Sequence, residues 1–440
     1  MCQGMPRTAM ILHCSVMIVL VHVASASRRA HLAAARRHAP RLGLIQHCPT
    51  WERAFVDCVA DADTRDVNAC VRAAEELARV EAVEGVVTFV EHGVSAAAAV
   101  AEHLGLPGIG TRSATLARDK YQMRQAMSAG GVPCPRFALA SDVDHAAEIG
   151  REFGYPLVIK PVIGGGSQYV RRVDGAAEVR HHFSELVAGA WDTYDYDPLY
   201  SLKSQYGGAV LVESYVAGIE VSVESLIVDG RTEVLAIHDK PLPMTGPLFT
   251  EFLSTTPSRL PSATQDRLRE LVDRCHRALG ISRGASHAEF RVPVRGDPVA
   301  LEVAARIGGG AIYQSVRTSV GVDMVAAVID IACGRTPVSA RHEPRPSAEL
   351  AFYADREGVL QAVHGVDEAR ADPRILELVI YKRPGDEILT LPRAFQGHGH
   401  ALMTASSVGE LDLTARNLLQ RVRFEVLPRA ISSLPPAVDS

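Results

Sequence analysis

The sequence predicts an α/β protein of several domains that opens on a parallel sheet and passes into α+β segments. Three observations carry this. Between residues 16 and 112 short apolar runs alternate with Ala-rich helical stretches, the rhythm of βαβ units. Beyond residue 150 the apolar runs come in pairs joined by Gly-rich or Gly-Asp turns, as antiparallel hairpins do. The 440 residues also exceed one ordinary core and imply about two to four domains.

Taken in order, Val16 to Val21 is an apolar, β-branched run and reads as the first strand. The stretch from Ala9 to Ala26, with Arg7 before it and Ala24-Ser25-Ala26 at its end, also has the outline of a secretory leader. His13, Ser15 and His22 interrupt it, and Arg28 and Arg29 follow at once, so the buried strand is the favoured reading and residues 1–15 an extension. Helices are expected at 28–38, 68–83 and 95–104, with strands at 42–45 and 85–89. No G-x-G-x-x-G turn follows a strand, which argues against a dinucleotide site. A helix is expected from Ser113 to Gly130, ended by Gly131-Val132-Pro133, and another at 141–153. Pro156 to Pro161 and Val170 to Val173 form a hairpin around Gly164-Gly165-Gly166-Ser167, with a helix near 175–189. Residues 190–208 read as a mobile loop, 209–214, 220–228 and 232–239 as strands, and 240–260 as a Pro- and Thr-rich loop. Helices at 262–279 and 321–333 flank an acidic hairpin, and a mixed strand–helix pattern fills 346–430.

Composition narrows the function. Apolar content of 47% and charged content of 22% are those of a globular protein, and a net charge of -5 gives no reason to expect nucleic acid or an anionic membrane as partner. Eight cysteines without C-x-x-C pairs argue against a zinc site or a disulfide framework and for a reducing, cytoplasmic setting. No segment after the first strand reaches the roughly 18 apolar residues of a membrane span.

The chemistry concentrates in the acidic hairpin. Glu289 and Glu302 lie on two strands joined by Arg295-Gly296-Asp297-Pro298, and neighbours across such a pair lie about 5 Å apart. Two acids that close repel unless a cation sits between them, and Mg2+ takes carboxylate oxygens together with phosphates. The alternative is a solvated hairpin face, but Phe290, Leu301 and Val303 indicate burial. Arg306 follows four residues after Glu302, before Gly308-Gly309-Gly310, as an anion clamp with room beside it. The glycine hairpin with Ser167 and Lys160 suits phosphate oxygens; by itself it is equally a flexible turn with a surface lysine. Glu213 to Glu220 runs strand, turn, strand; its glutamates in isolation read as solvated. His238 and His287 read as structural, since no nucleophile motif surrounds them.

The order of Asp119-Lys120, Val158-Ile159-Lys160-Pro161 with its glycine hairpin, Glu213-Ser214-Tyr215-Val216-Ala217-Gly218-Ile219-Glu220, Glu289 and Glu302-x-x-x-Arg306 resembles the ATP-grasp carboxylate–amine ligases. Ala304 stands where many of them have Asn, and Glu-x-Ala-Ala-Arg is similar to the L-amino-acid ligases, which join two amino acids into a dipeptide. Tyr169 stands where a glycine is usual. The resemblance implies an ATP-grasp fold, α+β in its nucleotide-binding part. Its divisions would be a Rossmann-like domain at 16–112, a central subdomain with a lid at 113–235, a metal and substrate subdomain at 236–345 and an extra ligase-associated domain at 346–430. It implies that Lys120, Lys160 and Ser167 meet the nucleotide phosphates, that Glu213, Tyr215 and Val216 border adenine, and that Glu220 meets the ribose. Glu289 and Glu302 would hold Mg2+, with Mn2+ as an alternative, and Arg306 would contact the acyl phosphate. Glu251, Ser254, Gly308 and Gly309 would line the substrate pocket. The implied substrates are ATP, a carboxylate and an amine, both amino acids, and a homodimer is the commonest assembly for such an enzyme. A purine-pathway or biotin-carboxylase-like ligase, or an inactive nucleotide-binding relative, are the alternatives.

Overall fold

A methionine followed by Ile, Val, Leu and Val makes Met17–Val21 a strand for the middle of a sheet, and all five residues are buried. The structure, a computed structural model, describes residues 16–23, 26–193, 203–242, 244–337, 341–394 and 396–428. Residues 1–15, expected to be an extension, lie outside these. Met17–Val21 pairs in parallel with Arg41–Ile45 and Val83–Val87, and Cys58–Ala60 closes the other edge. Helices Arg29–His38, Val67–Val80 and Val94–His103 complete this unit. The helix expected to reach residue 83 stops at Val80, because Val83 is already in the sheet beside Met17.

The single helix expected over 113–130 is two, Thr111–Arg118 and Lys120–Ala129. Asp119 breaks it with extended ψ of 106°, and its carboxylate accepts from the Gln122 amide as the N-cap of the second helix. The kink places Lys120 at a helix start, where its own amide donates to Val162 O at 2.9 Å.

An antiparallel sheet follows, ordered Phe137–Ala140, Val210–Ser214, Leu157–Pro161, Arg171–Val173. The expected glycine hairpin is its outer pair. Helix Ala176–Thr193 runs into the stretch read as a loop, and Lys203–Tyr206 is a short helix; residues 194–202 of that stretch lie outside the described residues.

The largest sheet has eight strands, in the order Val299–Ala304, Gly284–Val292, Ile219–Val228, Arg231–Asp239, Leu253–Thr256, Ser347–Phe352, Gly399–Thr404, Ile375–Ile380. It crosses residues 235/236 and 345/346, the divisions that the resemblance implies. Leu253–Thr256, read as loop, is the strand that joins the two halves, with Ser254 opposite Glu349. Helix Ser262–Leu279 forms as expected, packs Leu268, Leu271 and Val272 against Val221, Val223 and Phe290, and ends at Gly280 in the left-handed region. Ile312–Val320 is a further helix, ahead of Met324–Ala332. Glu387–Ile388, Gly358–His364 and Arg423–Leu427 make a small third antiparallel layer. Among the described residues no helix is long and apolar enough to cross a membrane.

Candidate functional site

Glu289 and Glu302 are register partners across the hairpin, so alternation along each strand aims both carboxylates to the same face. That face forms the wall of a cavity of about 270 Å3 enclosed by the glycine hairpin, the eight-stranded sheet and residues from the N-terminal and C-terminal segments. Each carboxylate already faces a lysine. Lys240 Nζ is 2.9 Å from Glu289, 2.9 Å from Glu220 and 3.2 Å from Glu251. Lys120 Nζ is 3.1 Å from Glu302 and donates to Gly164 O at 3.0 Å. Burial works against the charge on Lys240, but its three carboxylates raise its pKa well above the usual value.

Lys160 and Glu213 are both buried and lie 2.7 Å apart, and Arg124 Nε is 2.7 Å from the other Glu213 oxygen. Burial lowers the Lys160 pKa and Glu213 opposes it. The Glu213 side chain therefore fixes Lys160, and the strand edge beyond it, Tyr215 and Val216, lines the cavity. Glu220 is not the solvated group its strand alone implied: it is buried, bonded to Lys240 and held by Arg291 at 2.7 and 2.8 Å. His287 is likewise more than packing. Burial opposes its charge, but Glu224 at 2.5 Å and Glu289 raise its pKa to about 10, so an imidazolium borders the acidic pair. His238 is structural, bonded to Ser315 at 2.5 Å.

Arg306 lines the cavity and is steered by Glu91, whose carboxylate sits 2.5 Å from Arg306 Nε and 2.8 Å from Arg118. Burial would raise the Glu91 pKa; the two guanidiniums outweigh it and hold the carboxyl far below the usual range. Ser167, Glu251 and Gly309 also line the cavity. Ser254 and Gly308 stand just behind the wall. Ser254 is fully buried and donates to Glu251 at 2.8 Å, and a Cβ on Gly308 would lie 2.6 Å from Ile312.

The glycine hairpin folds over this cavity. Ser167 and Tyr169 both adopt positive φ, 56° and 54°. The Tyr169 ring packs onto Gly189, and its amide donates to Pro392 O at 3.1 Å. Gln168 donates to Arg393 O at 2.6 Å, so the tip is latched to the C-terminal segment.

Residues 153–314 match the ATP-grasp domain family. The chain carries an ATP-grasp domain. Residues 46–108 match the ATP-grasp N-terminal domain and 350–427 the L-amino acid ligase C-terminal domain 2. The chain is 27% identical to an uncharacterized protein of Sinorhizobium fredii over 84% of its length and 74% of that protein. It is 27% identical to alanine–anticapsin ligase of Bacillus subtilis over 59% of its length, and 27% identical to carnosine synthase 1 of Gallus gallus over 79%. It spans 56% of the former and 39% of the latter. The fold is similar to the crystal structure of an L-amino acid ligase from Bacillus licheniformis, with a TM-score of 0.76, 22% identity, and 94% and 99% of the two chains covered.

Around this ATP-grasp domain the sequence motifs converge, but four partners escaped them: Lys240, Glu91, Arg28 and Glu349. Each comes from a segment without a motif, and each lies within or beside the cavity wall. Lys240 carried one usable signal, a lysine directly after a strand in the alternating run Ile237-His238-Asp239.

Proposed function

We propose that the protein is an ATP-dependent ligase that joins two amino acids, with release of ADP and phosphate. The register pairing of Glu289 with Glu302, each beside a lysine, is the observation that carries this reading. Two partly open carboxylates on one face are a donor set that fits Mg2+ or Mn2+, and Glu289 and Glu302 would hold the ion. When bound, such an ion offsets charge on the transferring phosphoryl group.

The rest falls to the chain's own side chains. Lys120, Lys160 and Ser167 bind the phosphates of ATP, Tyr215 and Val216 border adenine, and Glu220 meets the ribose. A substrate carboxylate attacks the γ-phosphate, giving an acyl phosphate and ADP. Arg306, oriented by Glu91, grips that anion through parallel hydrogen bonds. An amine then displaces phosphate from the carbonyl carbon. Acyl phosphates hydrolyse in water, and the latched hairpin excludes it. Amino acids are favoured as both substrates because the C-terminal segment matches the L-amino acid ligase domain and because dipeptide-forming ligases, carnosine synthase 1 among them, are relatives. A homodimer in the cytoplasm is the setting that goes with this reading.

The test is an incubation with ATP, Mg2+ and pairs of amino acids, read by phosphate release and product mass. One dipeptide, one ADP and one phosphate per turnover supports the proposal. ATP hydrolysis that depends on bicarbonate, or ATP binding without turnover for every pair, overturns it.

A further inference from the structure

Arg28 is 8% exposed, lines the cavity and comes from the N-terminal segment, ahead of helix Arg29–His38. Its Nη1 is buried and has no hydrogen-bond partner, and no salt bridge to Arg28 occurs among the described residues. A buried guanidinium without an anion is costly. The neighbouring charge makes it worse, since burial and Arg306 together lower its pKa to about 10.

Across the cavity stands the opposite case. Glu349 is 5% exposed, lines the same cavity and forms no salt bridge among the described residues. Burial and the nearby Glu251 push its pKa up to about 8, against the Ala311 amide that donates to it and the charges of Lys240 and His287. Tyr353 and Tyr381 frame the acid from the C-terminal segment.

Two adjacent glycines run between these groups. A Cβ on Gly309 would lie 3.5 Å from Arg28 Nη2, and a Cβ on Gly310 would collide with the Glu349 carboxylate. Gly310 also has φ of 54°, so a side chain there would be strained as well as crowded. The backbone of Gly309-Gly310 thus forms a bare floor, with an unpaired cation at one end and an unpaired acid at the other.

We propose that Arg28 and Glu349 are the two ends of the acceptor subsite: Arg28 binds the carboxylate that the acceptor keeps, and Glu349 binds its ammonium. The acceptor is therefore an α-amino acid and not a simple amine. This rests on the ligase reading above. Glu349 takes one proton from the ammonium, and the freed nitrogen lone pair forms the C–N bond. The C–O bond to phosphate breaks, phosphate leaves with that electron pair, and the second nitrogen proton passes to solvent. Arg306 remains with the acyl phosphate, which accounts for two arginines where one anion would need only one.

The experiment compares each acceptor amino acid with its α-amide, which keeps the amine and loses the charge. The wild-type enzyme is expected to favour the acid by roughly ten- to a hundredfold in kcat/KM, the range for a hydrogen-bonded charge. In Arg28→Ala and Arg28→Gln that preference falls to about twofold, with KM for ATP unchanged. Glu349→Gln raises the acceptor KM about tenfold, lowers kcat because the amide cannot take the ammonium proton, and keeps the preference for the acid. Arg28 variants that keep the discrimination, or that raise KM for ATP or the donor instead, overturn the assignment. If the wild-type enzyme forms dipeptides yet accepts acid and amide equally, the subsite is wrong and the ligase reading stands. If it forms no dipeptide from any pair, the ligase reading itself has failed and the subsite with it. Thermal unfolding of each variant separates loss of fold from loss of recognition.

Discussion

At the end of the cavity nearest the glycine hairpin and the acidic pair, Lys120, Lys160 and Lys240 each rest against at least one carboxylate, whereas at the far end Arg28 and Glu349 form no salt bridge among the described residues. The difference separates two uses of buried charge. Where ions are paired, the site is already neutralised, and a ligand enters by exchange: in the proposed function, phosphates take Lys120 and Lys160 as a cation takes Glu289 and Glu302. Where they are unpaired, the protein stores an unfavourable arrangement that only a ligand relieves. The first end contributes to the fold and to chemistry together; the second contributes to recognition at the expense of stability.

Breaking the paired end gives the largest effects. Glu302→Gln is expected to lower metal-dependent turnover by about a hundred- to a thousandfold, the scale for losing one strong electrostatic contact to the transition state. Its far-ultraviolet circular dichroism should stay that of the parent, and full activity would remove the metal assignment. Lys240→Met should destabilise the protein by about 3–5 kcal/mol in urea unfolding, because Glu220, Glu251 and Glu289 are left around one point. Arg28→Met is the contrast: it removes an unpaired charge and should leave stability unchanged or raise it. Equal losses in the two variants would erase the distinction between the ends. Gly310→Ala, at positive φ against Glu349, should cost about 1–2 kcal/mol and slow turnover with bulky acceptors first.

The last effect is in pH. Glu349 has a folded pKa of about 8 against an ordinary value of 4.5. The folded state then holds its proton more tightly, so its contribution is complete below about pH 4.5 and is lost as pH rises through about 8. Glu349→Gln should flatten that part of the stability profile. His22 bends the acid side the other way. Burial, with Arg28 nearby, lowers its pKa to about 3, so its contribution is present above 6.5 and lost as pH falls towards 3. An unfolding midpoint measured from pH 4 to 9 reads both.

Much of the paired end was legible in the sequence because local rules place it. Alternation and a Gly-Asp turn were enough to set Glu289 opposite Glu302, and a Gly-rich turn between two apolar runs located the lid. Local rules also failed where one polar residue overrode a periodic pattern, as Asp119 does by capping a new helix inside a continuous helical run. Leu253–Thr256 was invisible for the opposite reason: four residues in a Pro-rich stretch become a strand only because Ser347–Phe352 is there to pair with them. The unpaired end was not legible at all. Arg28 and Glu349 are far apart in the chain, and neither sits in a motif. Their meaning comes from what they lack, and a missing partner shows only in three dimensions.

The most direct measurement follows oxygen. Donor amino acid labelled with 18O in both carboxylate oxygens is incubated with the protein, ATP, Mg2+ and the acceptor, and the phosphate and dipeptide are weighed by mass spectrometry. Carboxylate attack on the γ-phosphate predicts one 18O in each phosphate released and one in each new amide. Unlabelled phosphate, formed alongside dipeptide, would contradict an acyl phosphate at this site.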